Sequence, residues 1–316
     1  MKAFVTELTT GITRTPEFER KRLASFAVNV GTKCGHDCAY CSTGAQLRMH
    51  RSFREAGQSP FSRGYALVDP TIPQRVARDA NRIRNRGLVQ LCTVTDAWSP
   101  EAQTHQLGRR CLEAVLSQPG WTVRVLTKNA AVGDDFDLIE KYRDRVLVGL
   151  SMTATPRRSS VVQHIETYAS SLEQRLAMLR EASKRGLRTY GMLCPLLPGI
   201  ADGAEEIDEL VRLMVECRVE EIFVEPVNSR GPGLRLTEDA LRAAGFAEEA
   251  TAVGRIRRHA EWSGYVRQLI ANVQASVRRH FQIDKLRVLL YPSNLSVKDV
   301  DAIRHDDAGV IWLTPK

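Results

Sequence analysis

The sequence predicts an α/β protein built on a six-unit, TIM-like barrel or partial (β/α)6 barrel, followed by a C-terminal α+β extension. Three observations carry this. Six short β-rich runs alternate with helical patterns, Gly87 and Gly186 close two of those patterns after basic last turns, and the alternation stops near residue 236. The runs are residues 25–31 (SFAVNVG), 88–95 (LVQLCTVT), 121–127 (WTVRVLT), 145–152 (RVLVGLSM), 187–195 (LRTYGMLCP) and 221–227 (EIFVEPV), rich in the β-branched residues that strands favour. Helical patterns fall between them at about 73–86, 101–118, 134–143, 171–185 and 203–218. Strands that alternate with helices form a parallel sheet with right-handed crossovers. In such a barrel the loops at the strand C-termini carry the chemistry.

The organisation follows from where the pattern starts and stops. Residues 1–24 read as an N-terminal segment, 25–236 as the barrel, and 237–316 as an extension packed on it. Within the extension, residues 249–282 hold a long helical pattern, with Trp262, Val266, Leu269, Val273 and Val277 three or four apart. Two strand-like runs, KLRVLLYP and GVIWLTP, follow it.

Composition narrows the function classes. At 316 residues, 43% hydrophobic and 26% charged, the chain is an ordinary globular size and polarity. No apolar run is long enough to span a membrane, and the N-terminus lacks a signal-peptide pattern. A cytoplasmic, reducing location is expected, where clustered cysteines bind metal more often than they pair. The net charge of +8 is localised: residues 1–90 carry 15 Lys plus Arg against 7 Asp plus Glu, and the remainder carries 30 of each. That surplus points to an anionic partner.

The first strand leads into NVGTKCGHDCAYCST, which places Cys34, Cys38 and Cys41 within eight residues. Three thiolates at C-x3-C-x2-C spacing can hold three corners of a [4Fe-4S] cubane and leave the fourth iron open. By spacing alone, a zinc site completed by a distant ligand, or three unrelated buried thiols, stay open as alternatives.

The order of motifs resembles the radical S-adenosylmethionine (radical SAM) superfamily, whose cysteine signature appears as Cys34, Cys38, Tyr40 and Cys41. Further stretches resemble its spore photoproduct lyase-like branch, also described as DNA repair photolyase-like: TVTDAWSPEA after the second strand, VLTKN after the third, GLSMT after the fourth, and MLCPLLPGI at the fifth. The resemblance covers residues 20–236. It implies a [4Fe-4S] cluster whose open iron binds SAM, reductive cleavage to methionine and a 5′-deoxyadenosyl radical, hydrogen abstraction from substrate, and an electron donor such as a flavodoxin or ferredoxin. Residue by residue, it implies that Tyr40 lies near the SAM adenine, that Thr95 and Asp96 face the SAM amino end, and that Lys128 and Ser151 contact the carboxylate and ribose. Arg175 is a further carboxylate candidate. The chain departs from the branch at Trp98, where a tyrosine is usual, at Cys194, where a small residue is usual, and in the insertion-like ATPRRSSVVQH between Ser151 and Glu166.

Bland readings compete with several of these roles. Asp96 suits a helix N-cap, Lys128 a solvated strand end, and Arg175 an outer helix face. Cys92 and Cys194 are candidate hydrogen donors to a product radical, although free cysteine also packs as a small hydrophobe; Cys111 and Cys217 read as core. Arg75, Arg78, Arg82 and Arg86 form one stripe on the first helix, most simply a solvated face. The segment RMHRSFREAGQSPFSRGY interleaves Arg48, Arg51, Arg54 and Arg63 with Phe53, Phe61 and Tyr65, a composition suited to phosphates and base stacking. Three functions are therefore weighed: a radical SAM enzyme acting on nucleic acid or a nucleotide-like substrate, one acting on a peptide or small metabolite, and a non-enzymatic metal or iron–sulfur protein.

Overall fold

The computed structural model describes residues 1–229 and 231–313. Eight parallel strands form one open, unclosed sheet: β1 (Phe26–Val28), β2 (Leu88–Leu91), β3 (Thr122–Thr127), β4 (Val146–Met152), β5 (Gly191–Leu196), β6 (Ile222–Pro226), β7 (Leu286–Leu290) and β8 (Val310–Trp312). They lie in chain order across the sheet, and the short strand Thr13–Arg14 pairs antiparallel with β1 at its outer edge. The helices α1 (Ile72–Arg82), α2 (Leu107–Leu116), α3 (Phe136–Lys141), α4 (Leu172–Lys184), α5 (Ala204–Glu216), α6 (Gly233–Ala243), α7 (Ala247–Arg255), α8 (His259–His280) and α9 (Val297–His305) fall between or after the strands.

Strand periodicity sorts the core into two faces. Val123, Val125, Val148, Leu193, Val224 and Val288 pack with helix residues such as Leu112, Leu179, Leu210 and Val273. The alternate positions Leu147, Met192, Phe223, Leu289 and Ile311 form a second cluster inside the curved sheet, joined by Phe18 and Leu23 from the N-terminal segment. The inward positions nearest the strand C-termini are Lys128, Ser151, Cys194 and Glu225, so the same alternation delivers the polar groups to one end.

Several expected boundaries move for local reasons. The second strand stops at Leu91 because Cys92 adopts a left-handed φ of 50° and Asn29 Oδ1 captures the N–H groups of Thr93 and Val94 at 2.8 and 3.1 Å. The helix expected over 101–118 divides into Pro100–Gln103 and α2, with Gln106 left-handed at 50° between them. The fifth strand is interrupted at Tyr190: Arg188–Thr189 and β5 are separate pieces. β7 and β8 continue the barrel sheet in parallel register, Val224 opposite Val288 and Leu289 opposite Ile311, so the sheet runs unbroken into the predicted extension. The last two residues of GVIWLTP, Thr314 and Pro315, lie outside the described residues. A separate three-stranded sheet, Lys2–Val5, Tyr65–Val68 and Gly31–Lys33, stands beside the cysteine loop.

Candidate active site at the strand C-termini

The cysteine loop leaves Gly31–Lys33 and is held from several sides. Cys34 and Cys38 are half-buried and Cys41 is exposed. The Gly35 N–H donates to both oxygens of buried Glu101, at 3.0 and 3.1 Å. His36 Nε2 meets Asp96 Oδ2 at 2.8 Å. Burial pushes the Cys38 thiol up to about 12, and Glu166 adds to the rise. Burial, then the charges of Glu101, Cys41 and Cys38, raises Cys34 likewise. Three cysteines on one short loop, free of disulfides, supply thiolate donors once a cation displaces their protons, and such a donor set fits an iron–sulfur centre. Among the described residues no three His, Cys, Asp or Glu side chains surround a single metal position; a cubane takes one thiolate per iron and needs no such convergence.

Asp96 is the hub behind this loop. It accepts from the Trp98 N–H at 2.9 Å, the Thr127 hydroxyl at 2.8 and 2.9 Å, and the Lys128 N–H at 2.8 Å, besides facing His36. Burial alone would raise its carboxyl, but His36 and these hydrogen bonds hold it below the usual value. The same pairing raises His36 against the effect of its burial. Asp96 thus joins the cysteine loop to the end of β3, and the following helix has Ser99, not Asp96, at its N-cap. Thr95 stands beside it, its hydroxyl accepting from the Val30 N–H at 3.4 Å.

A second buried carboxylate, Glu166, gathers the remaining predicted residues. It accepts from the Tyr40 hydroxyl, from the Thr153 hydroxyl at 2.5 Å, from Lys128 Nζ at 3.0 Å, and from Arg175. Burial opposes its charge, yet Arg175 and Lys128 keep it far below the usual carboxylate range. Lys128 Nζ also reaches Ser151 Oγ at 2.9 Å and the Cys194 carbonyl at 3.1 Å, and lies 5.7 Å from the Tyr40 ring centroid. Arg175 spends its other nitrogens on the Ser151 and Ser170 carbonyls, at 2.9 and 2.8 Å, and is 1% exposed. The chain folds it inward rather than leaving it on an outer helix face.

The two other candidate thiols part company. Cys92 is buried within the helix-side core, and its thiol is pushed up to about 12 by that burial. Cys194 faces the interior, its Sγ 3.5 Å from Glu225 Oε2, and Glu225 in turn pairs with buried Lys21 at 3.4 Å. Trp98 points away from the site: its indole N–H donates to Asp135 at 2.8 Å, and a Cβ on Gly108 would meet its ring at 2.4 Å. Cys111 and Cys217 are buried, as their helical positions imply. Arg48, Arg51 and Arg54 are exposed on the segment that leaves the cysteine loop, around the short helix Arg51–Glu55. Arg63 instead ties that segment back to the Asp37 carbonyl at 2.6 Å. On α1, Arg75 pairs with Glu7 and Asp69, and Arg86 lies past the helix end, bound to carbonyls.

Sequence reasoning left His36, Glu101, Lys21 and Glu225 without roles. His36 had a signal, its place between two ligand-spaced cysteines. So did Glu225, a charge at an inward-facing position of an otherwise apolar strand. Lys21 had none, because its partner lies 204 residues away.

A parallel open α/β sheet with a three-thiol loop after its first strand, and polar groups gathered at the strand C-termini, defines a class of iron–sulfur enzymes. The family model of the radical SAM superfamily matches residues 28–214, and the chain belongs to that superfamily. Its enzymes use a [4Fe-4S] cluster and SAM. Among curated proteins the chain is similar to the uncharacterized ORF301 of Acidianus two-tailed virus, at 24% identity over 68% of this chain and 71% of that protein. It is also similar to MJ0683 of Methanocaldococcus jannaschii (21%, covering 57% and 63%) and Rv2578c of Mycobacterium tuberculosis (22%, covering 65% and 59%). It therefore spans less than two thirds of the length of the latter two. Among solved structures, spore photoproduct lyase complexed with dinucleoside spore photoproduct matches with a TM-score of 0.58 at 18% identity, over 88% of this chain and 79% of that one. A mutant of that lyase with bound AdoMet and the same dinucleoside matches at 0.51 and 19%, over 75% and 65%. At these identities the likeness is one of fold. Among the described residues no helix is long and apolar enough to cross a membrane.

Proposed function

We propose that this radical SAM enzyme acts on nucleic acid or a nucleotide-like substrate. The observation that carries the reading is the exposed basic segment beside the cysteine loop: Arg48, Arg51 and Arg54 are all solvent-facing, Phe61 is 41% exposed, and residues 48–65 contain one acidic side chain, Glu55. Clustered arginines with an accessible aromatic suit phosphates and an unstacked base. Two fold neighbours, spore photoproduct lyases that carry a dinucleoside spore photoproduct, support the same class.

In this reading Cys34, Cys38 and Cys41 hold the cluster. Bound with SAM, it supplies one-electron cleavage of the sulfonium that leads to hydrogen abstraction from substrate. Tyr40 orients beside the adenine, fixed by its bond to Glu166. Lys128 and Ser151 face the carboxylate and ribose, and Thr95 the amino end. Asp96 and Arg175 act from behind, since both are buried, whereas Lys128 keeps partial exposure: Asp96 positions the Lys128 backbone and Arg175 the Ser151 carbonyl. Cys194, on the interior face, is the better placed of the two candidate hydrogen donors. A flavodoxin or ferredoxin would supply the electron in the cytoplasm.

A peptide or small metabolite is the competing substrate class, and one feature favours it: the Glu225 carboxylate faces the interior beside Cys194 and, with its charge balanced by Lys21, offers a phosphate no net attraction. Two measurements test the proposal. Reconstituted enzyme with dithionite and SAM is expected to release 5′-deoxyadenosine, and Cys38→Ala to release none. Single-stranded oligonucleotide binding is expected to weaken steeply with salt, by a logarithmic slope of about 0.7 per phosphate contact, and the triple change Arg48→Ala, Arg51→Ala, Arg54→Ala to flatten that slope by roughly 2. Absence of binding even at low salt would sink the nucleic-acid reading.

A further inference from the structure

The insertion-like segment between Ser151 and Glu166 has a use that the binding roles leave aside. Residues 153–170 leave β4, make the short turns Pro156–Arg158 and Ser159–Val162, and return across the cysteine loop before α4 begins. There the two stretches run antiparallel. Cys38 stands opposite Glu166 in an isolated β-bridge, the Ala39 N–H donates to the Ile165 carbonyl at 2.8 Å, and the Tyr168 N–H donates to the His36 carbonyl at 3.2 Å. Arg63 staples the same pair of stretches, donating to the Asp37 carbonyl at 2.6 Å and to the Thr167 hydroxyl at 3.0 Å.

This clasp places a carboxylate directly across from one of the three ligand cysteines. Glu166 is 2% exposed and fixed by Tyr40, Thr153, Lys128 and Arg175, so its charge has neither freedom to turn away nor water to screen it. We propose that Glu166 is a positioning residue whose fixed negative charge, opposed by Lys128 and Arg175, sets the reduction potential of the cluster held by Cys34, Cys38 and Cys41. The inference rests on the reading of those cysteines as cluster ligands. Net charge and burial around an iron–sulfur centre are among the determinants of its potential. Reduction adds one electron and moves no proton, so the reduced cluster carries one more negative charge. A neighbouring carboxylate raises the energy of that state, an ammonium lowers it, and burial magnifies both effects.

The test is a redox titration of the full chain, reconstituted anaerobically without SAM, with dithionite as the electron source and the paramagnetic signal of the reduced cluster as readout. Glu166→Gln keeps the size of the side chain and removes its charge. It is expected to favour the reduced cluster by about tenfold, an upward shift of about 59 mV for one electron. Lys128→Met is expected to move the potential downward. A role confined to holding the loop predicts no such opposition of sign, so unmoved potentials in both variants, or shifts in the same direction, overturn the proposal. Should Glu166→Gln fail to retain iron, Lys128→Met decides: a downward shift supports the inference and an unmoved potential refutes it. A wild-type chain that binds no cluster would instead refute the reading of the three cysteines.

Discussion

Asp96 and Arg175 show how far a side chain's surroundings decide its part. Both belong to motifs expected to touch SAM, and both spend their hydrogen-bonding atoms inside the protein, on the Lys128 N–H and the Ser151 carbonyl among others. Residue type and order were legible; the direction of each side chain was not, because an arginine on a helix can snorkel outward or fold inward at equal sequence spacing. Trp98 follows the same logic. Where the resembled branch has a tyrosine, the larger indole turns against α2 and reaches Asp135, and Gly108 is the residue that makes room. Gly108→Ala puts a methyl 2.4 Å from the indole ring. It is therefore expected to destabilise the fold by about 1–3 kcal/mol, the range for overpacking a filled core. Urea denaturation reads this directly; unchanged stability would show that the Trp98 ring can shift freely.

At the scale of elements, the strands and helices were legible where apolar periodicity is strong, as in β3, β4 and α5. They were misjudged where a local backbone event intervenes: the left-handed Cys92 cuts β2 short, and the left-handed Gln106 splits a helix in two. Such events leave no periodic trace, since both residues are compatible with the element they interrupt. Joints between elements are equally invisible, and the contact of α5 with α8 is an example. Asp208 of α5 accepts from Arg279 at 2.6 Å, His280 at 2.9 Å and Ser276 at 3.1 Å, all on α8, and lies 3.5 Å from Arg212. The hydrogen bonds from Arg279 first, then from His280 and Ser276, lower its carboxyl from 3.8 to about 2. A carboxyl depressed on folding contributes stability that is complete above its ordinary value and disappears as pH falls through the folded one. Asp208→Asn is accordingly expected to lower the melting temperature at pH 7, and the gap to the wild type to narrow between pH 4 and pH 2. The cost is no more than about 1 kcal/mol, because Arg279 and Arg212 are more than half exposed and water screens them. A gap that stays constant down to pH 2 would assign the loss to packing instead of charge.

At the scale of the whole molecule, an open sheet of eight strands leaves its inner face exposed unless something enters it. The N-terminal segment does so: Phe18 and Leu23 join the inner cluster with Phe223, Leu289 and Ile311, and Lys21 passes between the Phe18 and Tyr291 rings to reach Glu225. A segment that sequence alone marks only as preceding the first strand thus helps to fill the barrel just below Cys194. The pair is largely buried, with side-chain exposures of 8% for Lys21 and 20% for Glu225. Burial alone would depress the lysine, but Glu225 lifts it above its ordinary value. Removing one partner strands the other in a poorly solvated place, whereas removing both charges together avoids that penalty. Lys21→Met is therefore expected to cost more stability than the double change with Glu225→Gln. Because Glu225 keeps some access to water, the coupling energy should fall within the roughly 0.5–3 kcal/mol found for contacting groups in double-mutant cycles. Urea unfolding of the wild type, both single variants and the double variant closes the cycle. A coupling near zero would mean that Phe18 and Leu23 seat the segment by apolar contact alone, and that Glu225 is positioned by its strand and not by Lys21.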